Sequence, residues 1–259
     1  MTKTTIAFLT DTHLGQRLVV NTEVAGGKMR YDSEPEQHED RLRLVLDDIS
    51  RRGIADIVFG GDIGTAQSVS GFFEILKGYD FNTSVILGNH DTYDDIKRYW
   101  FAGDGAVNGK LCYSYADRHL KRIFLDTSDN MLGDSQHAWL QRELDGAHSA
   151  VIFVHHPILA VHTPVDRSGA ALRDRDKVRS LLSGVDCDVT IISGHYHMVD
   201  ETRDANIRQF VSPAVSYQIV KQSGELHADV EAFGYRIIEI EDARIDTQAV
   251  LLNQAFPGR

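Results

Sequence analysis

Short apolar runs that end in polar residues recur along the first three quarters of the chain. Continuous runs of this kind are typical of strands that are buried on both faces of a parallel sheet. Five runs are predicted as buried strands: residues 5–10, 56–59, 84–87, 151–154 and 188–192. A polar turn follows each run, so we expect polar side chains at the carboxyl end of every strand.

Between these runs the apolar residues follow helical spacing. Leu42, Val45 and Ile49 share one face of a predicted helix over residues 36–52. Further helices are predicted at residues 69–78, 94–101, 135–144 and 176–183. Strands are also predicted at residues 110–115, 121–125, 207–211, 215–221, 233–240 and 245–251, the first two as a hairpin. No repeat or linker interrupts the pattern, so a single domain over residues 1–259 is expected.

Composition narrows the class of protein. The formal net charge is -11, which argues against a sequence-tolerant nucleic-acid binder because such a protein needs a basic face. The two cysteines, Cys112 and Cys187, form no metal-binding pair. The amino terminus shows no secretory signal pattern, and no apolar run is long enough to span a bilayer. We therefore expect a cytoplasmic protein with no nucleic-acid or membrane partner.

Side chains of the metal-ligand type follow five of the predicted strands. They are Asp11 and His13, Asp62, Asn89 and His90, His155, and His195 and His197. Because open α/β sheets place their sites at the carboxyl ends of strands, these groups are expected to converge. Imidazole, carboxylate and amide oxygen suit Zn, Fe or Mn, and eight residues suit two ions better than one. Asp62, alone on its strand end, is the natural bridging carboxylate. The Asp11-x-His13 and His195-x-His197 spacings place each pair on one side of an extended chain.

The five blocks resemble the signature of the calcineurin-like metallophosphoesterase superfamily. They occur in that family's order, as Asp11-x-His13, Gly60-Gly61-Asp62, Gly88-Asn89-His90-Asp91, His155-His156-Pro157 and Gly194-His195-Tyr196-His197. The resemblance implies an α/β (α+β) fold, a four-layer αββα sandwich of two mixed β-sheets flanked by helices. It also implies two metal ions: one bound by Asp11, His13 and His197, the other by Asn89, His155 and His195, with Asp62 between them. His90 would face the substrate phosphate as a catalytic residue.

The same resemblance implies hydrolysis of a phosphate ester. Two divalent or trivalent ions (Mn, Fe or Zn) would neutralise the phosphate charge and lower the pKa of a water, so that hydroxide forms near neutral pH. A phosphodiester is the preferred substrate, either a cyclic nucleotide or another small diester. Phosphomonoester hydrolysis is the alternative, and a nuclease or a non-catalytic binding scaffold is less favoured. The expected partner is a small soluble ester, and a homo-oligomer remains open.

Other residues keep two interpretations. Asp91 either orients His90 as part of the catalytic group or caps the helix that follows. The long polar stretch 14–37 carries Arg17 and Arg30, which either grip the substrate or belong to a surface loop. His162, on the loop after the His155 block, is a candidate to line the pocket. The surface is the expected place of five other histidines: His38, His119, His137, His148 and His227.

Overall fold

The computed structural model describes residues 3–16, 19–20, 29–30, 35–101, 106–107, 109–117, 120–222 and 226–253. The helices are α1 Pro35–Arg51, α2 Val69–Leu76, α3 Tyr93–Ile96, α4 Asp134–Leu144 and α5 Arg175–Ser183. The strands are β1 Lys3–Leu9, β2 Val19–Val20, β3 Met29–Arg30, β4 Asp56–Phe59, β5 Asn82–Val85, β6 Ala106–Val107, β7 Lys110–Leu111, β8 Tyr113–Asp117, β9 Leu120–Phe124, β10 Ser149–Phe153, β11 Asp188–Ser193, β12 Asp200–Asp204, β13 Ile207–Val211, β14 Gln218–Ile219, β15 Ala228–Asp229, β16 Ala232–Glu241 and β17 Arg244–Asn253.

Two large mixed sheets organise the chain. The first has the order β17-β16-β1-β4-β5, in which β1, β4 and β5 are parallel and the β16–β17 hairpin pairs antiparallel to β1. The second has the order β12-β13-β11-β10-β9-β8, with four parallel strands in the centre and an antiparallel strand at each edge. The parallel strands of both sheets are those that the apolar runs predict, together with β9 and β13.

The sheets pack face to face, with helices on the outside. Phe8 of β1 stacks on Phe153 of β10 at 6.0 Å between ring centroids, and this contact joins the sheets in one buried cluster. The apolar faces of α1 and α2 belong to the same cluster. The apolar side chains of α4 and α5 pack with β9, β10 and β11 in a second cluster. The expected αββα arrangement of two mixed sheets and flanking helices is confirmed.

The structure differs locally from the elements that the sequence predicts. The helix expected at residues 94–101 ends at Ile96, and the Trp100 indole beyond it donates a hydrogen bond to the Thr83 carbonyl of β5 at 2.9 Å. The edge strand β12 was not predicted because its Asp-Glu-Thr-Arg-Asp sequence has no apolar alternation, as is usual for an exposed edge.

In the described part of the chain, no helix has the length and apolar character required to cross a bilayer.

The predicted strand over residues 215–221 is mostly absent, since only Gln218–Ile219 pairs in a ladder. The backbone of this segment bonds elsewhere: Val215 N–H donates to the Thr10 carbonyl and Ser216 N–H to the Asp11 carbonyl. Ile219 N–H donates to the carbonyl of His197. The segment therefore braces two of the turns that carry the candidate site.

Candidate metal centre

The five polar turns meet between the carboxyl ends of the two sheets. Asp11 N–H, after β1, donates to the Gly61 carbonyl, after β4, at 2.9 Å. His195 N–H, after β11, donates to Asp11 Oδ2 at 3.0 Å and so joins the second sheet to the first. Side chains that lie nearly 190 residues apart in sequence thus share one site.

Most of these side chains stand on strained backbone. Positive φ angles occur at five of them: Asp11 (58°), His13 (45°), Asp62 (60°), His195 (66°) and His197 (50°). Residues other than glycine seldom adopt this conformation, and it is concentrated at functional sites. The expectation that the Asp-x-His and His-x-His pairs lie along extended chain is therefore wrong. Left-handed turns direct the side chains instead.

These turns divide the side chains into two adjacent groups. Ligand-type atoms of Asp11, His13 and His197 lie within 4.8 Å of one another, and so do those of Asp62, His155 and His195. His195 and His197 consequently face different groups although only one residue separates them.

Asp62 lies between the two groups. Its Oδ2 is 3.7 Å from His13 Nε2 in the first group and 3.3 Å from His155 Nε2 in the second. Asp62 Oδ1 accepts a hydrogen bond from His90 N–H at 2.9 Å, which fixes the carboxylate. The same turn carries Asn89, whose buried Oδ1 has no hydrogen-bond partner among the described residues. A buried oxygen of this kind needs a partner, and a cation is one that fits this site.

The hydrogen bonds of three histidines fix which ring nitrogen is free. His155 Nδ1 lies 2.8 Å from the Gly60 carbonyl, and His197 Nδ1 lies 3.0 Å from that of Tyr217. His195 uses its other nitrogen, with Nε2 2.9 Å from the Ala170 carbonyl. Because a carbonyl only accepts, each bonded nitrogen carries the proton. When the ring is neutral, the remaining nitrogen presents a lone pair to its group, as metal-binding histidines do.

The two carboxylates of the site stay ionised. Burial opposes ionisation of Asp11, but His197 and His155 outweigh it and hold the pKa of the Asp11 carboxyl below its ordinary value. For Asp62 the same balance of burial against His155 and His13 holds the pKa well below the ordinary value. Both side chains are therefore in the charged form that binds cations.

The histidines differ in protonation. Burial lowers the pKa of His13 to about 3 and, together with the charge of His155, lowers that of His195 to about 4. Burial also disfavours the charged form of His155, but Asp62 and Asp11 outweigh it and raise the pKa of His155 to about 10. In the metal-free chain His155 thus carries a positive charge between two carboxylates, where a bound cation would replace its proton.

His90 lies at the exposed mouth of the site. One of its ring nitrogens lies within 4.8 Å of ligand-type atoms of His13 and Asp62. Its Nδ1 is 2.7 Å from Nε2 of Gln16, whose Oε1 is 2.9 Å from His13 Nδ1. Gln16 thus contacts two site histidines and was not predicted. Its position three residues after His13, in the long polar stretch, is the only signal in the sequence.

Asp91 joins the second and third turns. Its carboxylate accepts hydrogen bonds from the backbone N–H groups of Asp62 at 2.7 Å, Ile63 at 3.0 Å and Gly88 at 2.9 Å. It is buried, and these contacts tie the turn that carries Asp62 to the turn that carries Asn89.

These contacts correct one interpretation of Asp91. Thr92, not Asp91, caps α3, since its side chain accepts from Asp95 N–H. The ring hydrogen bond of His90 comes from Gln16. Burial, with the nearby charge of Asp62, raises the pKa of Asp91 to about 7. A catalytic role for Asp91 stays a prediction.

His38 is buried, so its expected surface position is wrong. Its Nδ1 lies 2.9 Å from the backbone carbonyl of His13, where it supports the strained first turn. Burial lowers its pKa to about 4. The signal was present in the sequence, because His38 precedes Leu42 by four residues and Val45 by seven, on the apolar face of α1.

Three candidate substrate-binding residues remain: Arg17, Arg30 and His162. His162 is exposed on the loop after β10. Arg17 and the side chain of Arg30 lie outside the described residues. Substrate contacts by these three residues stay predictions.

The sequence and the fold of this chain are both similar to those of known phosphoesterases. Residues 4–199 match the family model described as calcineurin-like phosphoesterase. A protein of Fibrobacter succinogenes named a probable cyclic nucleotide phosphodiesterase is 26% identical over 96% of this chain and 94% of its own. A protein of Arcobacter nitrofigilis named a probable glycerophosphodiester phosphodiesterase is 25% identical over 82% of this chain and 78% of its own. Among solved structures, a dimetal phosphatase from Danio rerio shares the fold, with a TM-score of 0.66, 13% identity and coverage of 97% of this chain and 99% of that one.

Proposed function

Because the chain belongs to the calcineurin-like phosphoesterase family and is a hydrolase of phosphoester bonds, we propose that it is a two-metal phosphodiesterase acting on a small diester. The observation that carries the proposal is the pair of adjacent ligand groups with the Asp62 carboxylate between them. The choice of a diester is supported by the names of the two relatives, both phosphodiesterases.

In this proposal Asp11, His13 and His197 would hold one ion, Asn89, His155 and His195 would hold the other, and Asp62 would help to hold both. The ions, when bound, would neutralise the charge of the phosphate and lower the pKa of a water to near neutrality. The neutral imidazoles of His13 and His195 and the ionised carboxylates fit such ions. So does the buried Asn89 oxygen, which has no hydrogen-bond partner among the described residues. Zn, Mn and Fe all accept this donor set.

His90 handles the proton of the leaving group. Its Nδ1 accepts from the Gln16 amide, so the proton of a neutral ring is on Nε2. From the mouth of the site Nε2–H can donate to a phosphate oxygen as negative charge builds there. The same Nε2–H can also protonate the departing alkoxide as a general acid.

A substrate panel tests this function. The protein is loaded with Zn, Mn or Fe and assayed with bis(p-nitrophenyl) phosphate, p-nitrophenyl phosphate, cyclic nucleotides and glycerophosphodiesters. The proposal predicts that at least one diester gives a higher kcat/KM than the monoester. A higher kcat/KM on the monoester would make the protein a phosphomonoesterase, and turnover of none of these compounds would refute the proposed chemistry.

A further inference from the structure

Gln16 contacts the two functional parts of the proposed centre at once. Its Oε1 is 2.9 Å from Nδ1 of His13, a proposed metal ligand, and its Nε2 is 2.7 Å from Nδ1 of His90, the proposed proton donor. Its backbone N–H donates to the His13 carbonyl at 3.1 Å, which holds the side chain over the same turn. The side chain is half-buried, and the His13 and His90 rings meet edge to face at 5.2 Å between centroids.

The two ends of an amide have opposite hydrogen-bonding character. Oε1 only accepts, so the proton of a neutral His13 is on Nδ1, and its Nε2 lone pair faces the metal group. Nε2 of Gln16 only donates, so Nδ1 of His90 must be the acceptor and its proton is on Nε2. One side chain therefore sets opposite tautomers on two neighbouring rings.

We propose that Gln16 is a positioning residue that fixes His13 as a lone-pair ligand and His90 as a proton donor, an inference that rests on the proposed function. The other three imidazoles of the two groups are fixed by backbone carbonyls, which only accept. His13 alone is fixed by an amide, which accepts from one ring while it donates to the next.

The opposite orientation of the amide would not fit a site in which the proposed metal is bound. It would place the His13 proton on Nε2, which lies 3.1 Å from His197 Nε2 inside the first group. That nitrogen of His197 bears a lone pair because its Nδ1 donates to the Tyr217 carbonyl. His13 would then fill the metal position with a proton, and His90 would present a lone pair where the chemistry requires a donor.

Two substitutions separate the two contacts. Gln16→Glu keeps an acceptor for His13 but offers no donor to His90. Zinc affinity should therefore stay within about threefold of wild type, while His90 moves its proton to Nδ1. Turnover of bis(p-nitrophenyl) phosphate should fall by about 10- to 100-fold, the usual effect of losing such a partner.

Gln16→Met removes both contacts and keeps a similar shape. It should lower the affinity of the weaker-bound zinc equivalent by about 10- to 100-fold in addition to lowering turnover. Gln141→Glu on the exposed face of α4 is the matched control and should change neither zinc affinity nor turnover. Circular dichroism and thermal melts of all variants confirm that they fold.

Ring ¹⁵N–¹H spectra of histidine decide the inference without any substrate. The His90 resonances are identified by their loss in His90→Gln. In zinc-loaded wild type, His90 should have an unprotonated Nδ1 that accepts a hydrogen bond, and in Gln16→Glu this Nδ1 should be protonated.

A protonated His90 Nδ1 in wild type, or the same tautomer in wild type and Gln16→Glu, would overturn the inference. Unchanged zinc affinity in Gln16→Met would overturn the inference that Gln16 fixes His13 as a metal ligand. Failure of wild type to hydrolyse any ester would refute the proposed function instead. The spectra and the zinc titration would still test whether Gln16 sets the tautomers of His13 and His90.

Discussion

Gly88 offers a sharp test of how the bridging carboxylate is positioned. It directly precedes Asn89 and packs against Asp62. A Cβ placed on Gly88 would overlap Asp62 Oδ1 and lie 2.7 Å from both Cγ and the backbone nitrogen of Asp62. Gly88→Ala therefore adds one methyl group where the carboxylate now lies.

The size of the displacement follows from these separations. Ordinary contact for a Cβ begins near 3.4 Å, so Cγ and the backbone nitrogen of Asp62 must move away from residue 88 by about 0.7 Å, and Oδ1, which lies closer, must move farther. The surroundings resist this movement, because Asp62 N–H is held by Asp91 and Asp62 Oδ1 by His90 N–H. Overpacking of this kind costs roughly 1–3 kcal/mol. Misplacement of a functional group by ~1 Å can reduce the rate by about 100-fold.

We predict that Gly88→Ala lowers Tm by several degrees, at about 2–4 °C per kcal/mol for a chain of this size. It should weaken zinc binding and reduce turnover of bis(p-nitrophenyl) phosphate by about 10- to 100-fold. Differential scanning calorimetry, zinc titration and steady-state kinetics give the three values.

Gly71→Ala is the matched control. Gly71 is exposed in α2, and a Cβ there would meet nothing within 4 Å. The same change of residue should stabilise the helix by roughly 0.5–1 kcal/mol and leave activity unchanged. If Gly88→Ala binds two zinc ions and turns over like wild type, contact with Gly88 does not position Asp62 and the reasoning is refuted.

Three further changes test other parts of the site and fold. His90→Ala should retain both metals but lower turnover by about 100-fold or more. The control is His148→Ala at an exposed position, which should leave turnover unchanged. Full activity of His90→Ala would show that His90 takes no part in the reaction. Asp62→Ala should bind fewer than two zinc ions per chain by elemental analysis, and two tightly bound ions would contradict its bridging role. Burial opposes ionisation of Asp48, but hydrogen bonds led by Tyr235 outweigh it and lower the pKa of Asp48. Its contribution to stability is therefore present at neutral pH and is lost as the pH falls through this lowered pKa. Asp48→Asn should reduce the unfolding free energy in urea at pH 7 more than in acid, and an equal loss at both would contradict this.

The parts of the site that the sequence predicts are those that follow strands. An apolar run, a tight turn and a metal-type side chain form a local pattern, so Asp11, Asp62 and His155 can be placed without knowledge of distant contacts. The convergence of these groups follows from the geometry of parallel strands. Their division into two groups does not, because it depends on left-handed turns at residues such as His195 and His197.

Residues that act through other residues were missed. Gln16 and His38 carry no motif, and their roles appear only when the chain brings them to His13. Asp91 was identified, but its contacts with three backbone N–H groups on two turns depend on tertiary structure. The segment 215–221 has the pattern of a strand, yet three of its backbone N–H groups donate to carbonyl groups in the turns of the site, and the sequence pattern carries no sign of these distant partners.

The central claim is that hydrolysis of a diester requires two metal ions, both of which Asp62 would help to hold. A zinc titration of metal-free protein, followed through the rate of bis(p-nitrophenyl) phosphate hydrolysis, tests it most directly. The structure predicts negligible activity without metal and a rate that reaches its plateau at two equivalents per chain. A plateau at one equivalent, or full activity in the metal-free protein, would contradict the claim.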